Sequence, residues 1–229
     1  DIGGKIVETV DAPEFSAPNL NTQGAKVQPD WLFSFLQDPT MIRPNLQLRM
    51  PSFDLNDEQW NQIIESFQYR DKNFASYESE YKSNKNDYKW HAGKKLQEIG
   101  ACNNCHFYGS QFPLQGPQTW APNLAITKDR LRPDWVVEWL RDPQSIMPGT
   151  KMPSPYLPSA EILESPNASK TWTNALVKTK GNQDSMLWGL TNYIYSIQGK
   201  KDISNEVKEY FKKHGYDFKE PEEEEEEEW

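Results

Sequence analysis

The sequence is short of cysteine, of long apolar runs and of excess positive charge. It has 229 residues, of which two are Cys and three are His. No run approaches the ~18 apolar residues that a membrane-crossing helix requires, so we predict no transmembrane segment in this chain. The opening residues also lack the pattern of a signal peptide. Because no initiator Met is present, we expect a processed or truncated chain.

Acidic residues outnumber basic ones, but the excess is concentrated at one end. The formal net charge is −9, from 34 Asp and Glu against 25 Lys and Arg. Glu220 and residues 222–228, all Glu, supply eight of the acidic groups, which leaves 26 elsewhere. The rest of the chain, without these eight groups, has no excess of basic residues, which argues against nucleic acid as a partner. We expect the acidic run to be a solvated, disordered tail. The alternative is a docking arm for a basic partner.

The two cysteines lie three positions apart, and a histidine follows the second one directly. Residues 102–106 read Cys-Asn-Asn-Cys-His. This spacing is the haem-attachment signature, although an isolated Cys pair is also compatible with a redox dithiol or half a zinc site. The adjacent histidine and the lack of a second Cys pair favour haem. We therefore predict thioether bonds from Cys102 and Cys105 to one haem c, with His106 as an iron ligand.

An internal repeat divides the chain into two units. Three short motifs recur 104 positions later, and a fourth, Met-Pro-Ser, recurs after 102 positions: Ala17-Pro18-Asn19-Leu20, Pro29-Asp30-Trp31 and Asp38-Pro39, and then Met50-Pro51-Ser52. A constant offset that includes Trp and Pro is improbable by chance, so we infer two homologous units. At this offset His106 falls on Ile2. The first unit therefore lacks both the cysteine motif and the helix that precedes it.

Apolar residues at helical spacing predict an all-α fold. Helices are expected at residues 90–100, 133–141 and 184–198 in the second unit and at residues 29–37 and 56–69 in the first, with short helices near 171–179 and 203–213. No segment shows the alternation of a strand. We predict four regions along the chain: an incomplete unit at 1–70, a linker at 71–88, a complete haem-binding domain at 89–200, and a short helix with the acidic tail at 201–229.

A second iron ligand is expected from a methionine. A thioether opposite the imidazole closes the sixth position and raises the reduction potential. Met152 lies in a stiff Pro- and Gly-containing loop and aligns with Met50, whereas the competitor Met147 aligns with no Met. Met50 ligates a second iron if a Cys-x-x-Cys-His motif precedes residue 1 or comes from another chain. If the first unit has lost its haem, Met50 is a core residue.

The order of these motifs resembles that of class I cytochromes c. Residues 89–199 match the family pattern fully, and residues 1–70 match it without its beginning. The resemblance implies two tandem cytochrome c-like domains, the first lacking its N-terminal helix. It also implies that the carbonyl of Pro122 accepts a hydrogen bond from His106. The first and last helices should cross at Gly93, against Tyr193 or Trp188.

Several aromatic and basic residues have two possible roles. Trp139 and Trp120 are the best candidates for contacts with the haem, and the alternative is that they are core residues. Arg130 and Arg132 could pair with haem propionates, because guanidinium groups suit carboxylates. Exposure at the surface is the alternative for both arginines.

The sequence predicts electron transfer rather than catalysis, because iron with two protein ligands has no open position for a substrate. The tandem arrangement is similar to that of dihaem cytochromes of bacterial respiratory chains. It implies a periplasmic location, in solution or on the periplasmic side of a membrane. The implied partners are redox proteins, such as subunits of a respiratory complex. The alternatives are a peroxidase-type haem enzyme, an electron-delivery subunit of a reductase or oxidase, and a unit that mainly docks a larger complex.

Overall fold

A computed structural model describes residues 19–44, 50–72 and 82–215, and these are mostly helical. The α-helices are α1 (Gln23–Lys26), α2 (Pro29–Gln37), α3 (Asp57–Arg70), α4 (Tyr88–Ile99), α5 (Thr127–Arg130), α6 (Pro133–Arg141), α7 (Pro143–Ile146), α8 (Ala160–Leu163), α9 (Ala168–Thr171), α10 (Asn174–Val177), α11 (Gln183–Tyr195) and α12 (Ser204–His214). Short 3₁₀ turns lie at Cys102–Asn104, Pro117–Thr119 and Leu124–Ile126. Within these ranges only isolated β-bridges occur, which confirms the predicted all-α class.

Some of the predictions fall outside the described residues. These are the first part of the incomplete unit up to Pro18, residues 73–81 of the linker, and the acidic tail. Within the described part, none of the helices combines the length and the apolarity that a bilayer crossing demands.

Helix boundaries follow local signals in the sequence. Helices α2 and α6 occupy the predicted residues, each with Pro in its first turn. Helix α3 starts after the predicted cap, Asn56, whose side chain accepts from the amide of Gln59 at 3.0 Å. The side chain of Gln59 in turn accepts from the amide of Asn56 at 3.0 Å, which completes a capping box. Helix α4 begins two residues before the prediction because Asp87 caps it.

The first and last helices of the second unit cross at two glycines. Gly93 of α4 does lie at the crossing, but its nearest neighbour is Gly189 rather than the predicted Tyr193 or Trp188. A Cβ added to Gly93 would lie 1.9 Å from the carbonyl oxygen of Gly189, so only glycine permits this approach. Tyr193 instead contacts Trp90, which lies on the same helix as Gly93, with 5.4 Å between the ring centroids.

The segment between residues 155 and 183 forms part of the core of the second unit. Its short helices α8 and α10 are capped by Ser159 and Thr173, whose hydroxyls accept from the amides of Ile162 and Leu176. Leu163 and Leu176 from this segment are fully buried in the same cluster as Leu96 and Met186. Helix α11 starts just after it, at Gln183, capped by Asn182, and ends at Tyr195 rather than at the predicted residue 198.

Helix α12 packs against the residues that follow the cysteine motif. Its Val207 and Phe211, with Ile203 before it, form one buried cluster with Phe107 and Trp120. Two aromatic rings from α12 therefore pack against three from residues 107–120. Apolar side chains thus cover the segment that follows the cysteine motif.

The two units meet through equivalent segments. Residues 26–28 and 130–132 lie 104 positions apart and run antiparallel, with a bridge between their central residues, Val27 and Leu131. The amide of the last residue of each segment donates to the carbonyl of the first residue of the other, at 2.9 Å in both directions. The contact is thus approximately two-fold symmetric, with equivalent positions of the repeat used on both sides.

Candidate haem-attachment site

The cysteine motif forms a tight turn at the end of α4. Ala101 adopts a left-handed conformation with φ 48 and ψ 42, and Cys102–Asn104 then form a 3₁₀ turn. The amide of His106 donates to the carbonyl of Cys102 at 2.9 Å. Residues three apart in a 3₁₀ turn eclipse one another, so the side chains of Cys102 and Cys105 leave the turn on the same side. No disulfide joins the two side chains and both are half-buried, so both sulfurs are available to one edge of a planar ligand.

His106 is held by a hydrogen bond from its ring. Its Nδ1 lies 2.8 Å from the carbonyl oxygen of Pro122, the partner that the family resemblance implied. A carbonyl only accepts, so the proton resides on Nδ1 and the lone pair of Nε2 stays free for a metal. Burial lowers the pKa of His106, and the bond to Pro122 opposes this effect. The imidazole is therefore kept neutral, which is the form that binds iron.

Backbone contacts fix the two loops that carry these groups. The amide of Ala121 donates to the carbonyl of Cys105 at 2.8 Å, next to a bridge between His106 and Ala121. The buried Oδ1 of Asn123 accepts from the amides of Gly109 and Ala125, at 2.9 and 3.0 Å. Asn123 was not singled out from the sequence, although it belongs to the repeated Ala-Pro-Asn-Leu motif. That recurrence was the available signal for its structural role.

Met152 has a specific partner at its sulfur. The Nε1–H of Trp139 points to the Sδ of Met152 at 2.9 Å. The indole of Trp139 also stacks on that of Trp135, with centroids 5.2 Å apart and planes 14° apart. A thioether has two lone pairs, so a sulfur that accepts from Trp139 retains one for a metal. This contact distinguishes Met152 from the competitor Met147, which caps α7.

Met50 is 38% exposed. It is therefore not a core residue, which is the role expected of it if the first unit has lost its haem. In the first unit, Trp31 and Phe35 stack at 4.8 Å and 14°, as Trp135 and Trp139 do in the second. Phe35 thus occupies the place of Trp139, 104 positions earlier, and has no N–H to donate.

The other candidates differ in their surroundings. Trp120 is buried in the cluster with α12, and its N–H already donates to the carbonyl of Gln115 at 3.1 Å. Its N–H is therefore not available to a haem propionate. Arg132 is 7% exposed, and Arg130 has a buried Nε, so surface exposure is the wrong alternative for both.

The donor set fits a covalently bound haem. Two thiols on one side of a turn, a neutral imidazole fixed through Nδ1 and an oriented thioether are the groups that hold haem c. Within the described ranges no group of three or more His, Cys, Asp or Glu side chains could hold a metal ion, so the ligands that a zinc site needs are not assembled there.

No family model, no curated protein and no solved structure matches the chain.

Proposed function

We propose that this chain is an electron-transfer protein of the class I cytochrome c type with one haem c on its second unit. The observation that carries the proposal is the pairing of a Cys102–Cys105 turn with an imidazole fixed by Pro122 at 2.8 Å. We also propose that the repeat is a tandem of cytochrome c-like domains, the first without its N-terminal helix. A second haem, ligated by Met50, requires a Cys-x-x-Cys-His motif from outside this sequence.

The roles of the residues follow from their chemistry. Haem, when bound, supplies a one-electron couple at its iron. Cys102 and Cys105 would tether the macrocycle, and His106 and Met152 would supply the imidazole and thioether ligands of its iron. Trp139 holds the sulfur of Met152 in place through its N–H. Two protein ligands leave no position for a substrate, which favours electron transfer over catalysis.

An enzymatic role needs a displaceable sixth ligand and an acid or base above it. The chain has three histidines, and His91 and His214 are both exposed. The ring of His214 lies against Tyr210 at the end of α12, 4.1 Å between centroids. This arrangement supports the proposal of a carrier or subunit without its own catalytic group.

The family resemblance supports a periplasmic location, in solution or at the membrane surface. The partners are then redox proteins, among them subunits of a membrane respiratory complex. The near-neutral body of the chain supports protein partners rather than nucleic acid.

Replacing the sulfur ligand tests the proposal. Met152→Ala should open the sixth position, so the reduced variant binds carbon monoxide rapidly and turns over peroxide faster than wild type. Met147→Ala is the matched control and should behave like wild type. Rapid carbon monoxide binding by reduced wild-type protein, or an effect of Met147→Ala alone, contradicts the assignment of Met152.

A further inference from the structure

Helix α12 lies outside the segment that the family resemblance covers, yet it packs against the loop that carries His106. The resemblance ends at residue 199, and α12 begins at Ser204. Phe107, the residue after His106, is fully buried in the cluster that contains Val207 and Phe211 of α12. The chain therefore adds an apolar support to the loop of the candidate iron ligand.

Asn123 connects the start of this support to the same loop. The residue is 3% exposed, and its Nδ2 donates to the carbonyls of Lys200 and Lys201, which lead into α12, at 2.9 and 3.2 Å. Its Oδ1 accepts from the amides of Gly109 and Ala125 at 2.9 and 3.0 Å. Both hydrogens and both lone pairs of the side-chain amide are thus engaged, so Asn123 is fixed from two sides.

Two glycines bring the backbones of these segments into contact. Gly109 and Gly199 both have positive φ, 64° and 145°. A Cβ added to Gly199 would lie 2.9 Å from the Cα of Gly109, so a side chain there would force the two backbones apart. The segment before α12 is therefore held at backbone distance from the loop after His106.

The connection reaches His106 through a single peptide group. The carbonyl oxygen of Pro122 lies 2.8 Å from the Nδ1 of His106. This carbonyl belongs to the planar peptide group that Pro122 shares with Asn123, so the bonds that fix Asn123 also fix its oxygen. The next amide, that of Leu124, donates to the carbonyl of Phe107 at 2.9 Å.

We propose that Asn123 is a positioning residue for His106 and that α12 acts through it. Together they hold the Pro122 carbonyl at the ring N–H of His106 and so tune the reduction potential of the haem. A ring N–H bonded to a good acceptor makes the imidazole a stronger electron donor, which favours the ferric state. The inference rests on the proposed function and deepens it, because it names what regulates the imidazole ligand.

Substitutions in the haem-loaded full chain test this role. Asn123→Ala removes the four bonds and should raise the midpoint potential, because the Pro122 carbonyl is released. Exchange of the Nδ1 proton of His106 with deuterium, followed by NMR, should become about tenfold faster, as loss of one net hydrogen bond predicts. Phe211→Ala keeps Asn123 but loosens α12, and it should shift both quantities in the same direction by a smaller amount. Ile64→Ala, in the separate core cluster of the first unit, is the destabilised control and should leave both at wild-type values.

The proposal fails if neither Asn123→Ala nor Phe211→Ala changes the potential and the exchange rate. It also fails if Ile64→Ala shifts both as much, which reduces the effect to a general loss of stability. A shift in Asn123→Ala alone overturns the part assigned to α12. If Asn123→Ala does not fold, the comparison of Phe211→Ala with Ile64→Ala still decides. A wild-type preparation without covalent haem contradicts the proposed function instead, so the two failures are distinguishable.

Discussion

Replacing Gly93 by alanine tests the helix crossing on which the candidate site is built. The added Cβ would lie 1.9 Å from the carbonyl oxygen and 2.2 Å from the carbonyl carbon of Gly189. Ordinary contact begins at 3.4 Å, so α4 and α11 must separate by about 1.5 Å. The obstacle is backbone, and no side chain can rotate away from it. The separation loosens contacts around Leu96 and Leu190, which are each 1% exposed.

The cost should reach the upper end of overpacking effects, about 3 kcal/mol or more. For a chain of this size that lowers Tm by roughly 6–12 °C, followed by far-UV circular dichroism of the haem-loaded protein. Lys94→Ala, on the exposed face of the same helix, is the control and should change the free energy of unfolding by no more than about 0.5 kcal/mol. A Gly93→Ala protein as stable as this control would refute the crossing.

Three further substitutions test separate contacts. Trp139→Phe keeps the ring but removes the N–H to Met152; the more electron-rich sulfur should lower the midpoint potential by roughly 20–60 mV, and an unchanged potential argues against the bond. Asn56→Ala removes the cap of α3 and should lower the free energy of unfolding by about 1 kcal/mol in denaturant titrations. An unchanged free energy of unfolding would argue against the capping box. Hydrogen bonds from the hydroxyl and the amide of Ser204 lower the pKa of Asp202 in the folded state. These bonds therefore stabilise the folded state at pH values above the unfolded pKa of about 3.9. The stabilisation is lost as the pH falls through the lower pKa of the folded state. The stability difference between wild type and Asp202→Asn should therefore shrink on acidification, and a constant difference would contradict the sign.

Local signals in the sequence were sufficient for several elements. Proline at the start and after the end gave the bounds of α2 and α6, and the cap at Asn56 gave the start of α3. These signals act within four residues, so they hold whatever the tertiary context. The helices of the insertion were harder to predict. Each has four residues, which is too short for a period of 3.6 to show.

Contacts between distant segments could not be read in the same way. The pairing of Gly93 with Gly189 depends on how two helices are rotated, and the sequence allowed several neighbours on the same face. The contact between Trp139 and Met152 depends on the loop that follows α7. The junction of the units had a signal, since Lys26 and Arg130 are basic residues at equivalent positions. A shared offset shows equivalence, but only coordinates show that equivalent residues touch.

Covalent attachment of haem to Cys102 and Cys105 is tested most directly by the mass of the purified chain. Denaturing mass spectrometry should give the mass of the polypeptide plus one haem. Cys102→Ala with Cys105→Ala should give the polypeptide mass alone, and extraction with acidified acetone should leave the colour on the wild-type protein only. A colourless wild-type protein whose two thiols both react with an alkylating reagent would contradict the account.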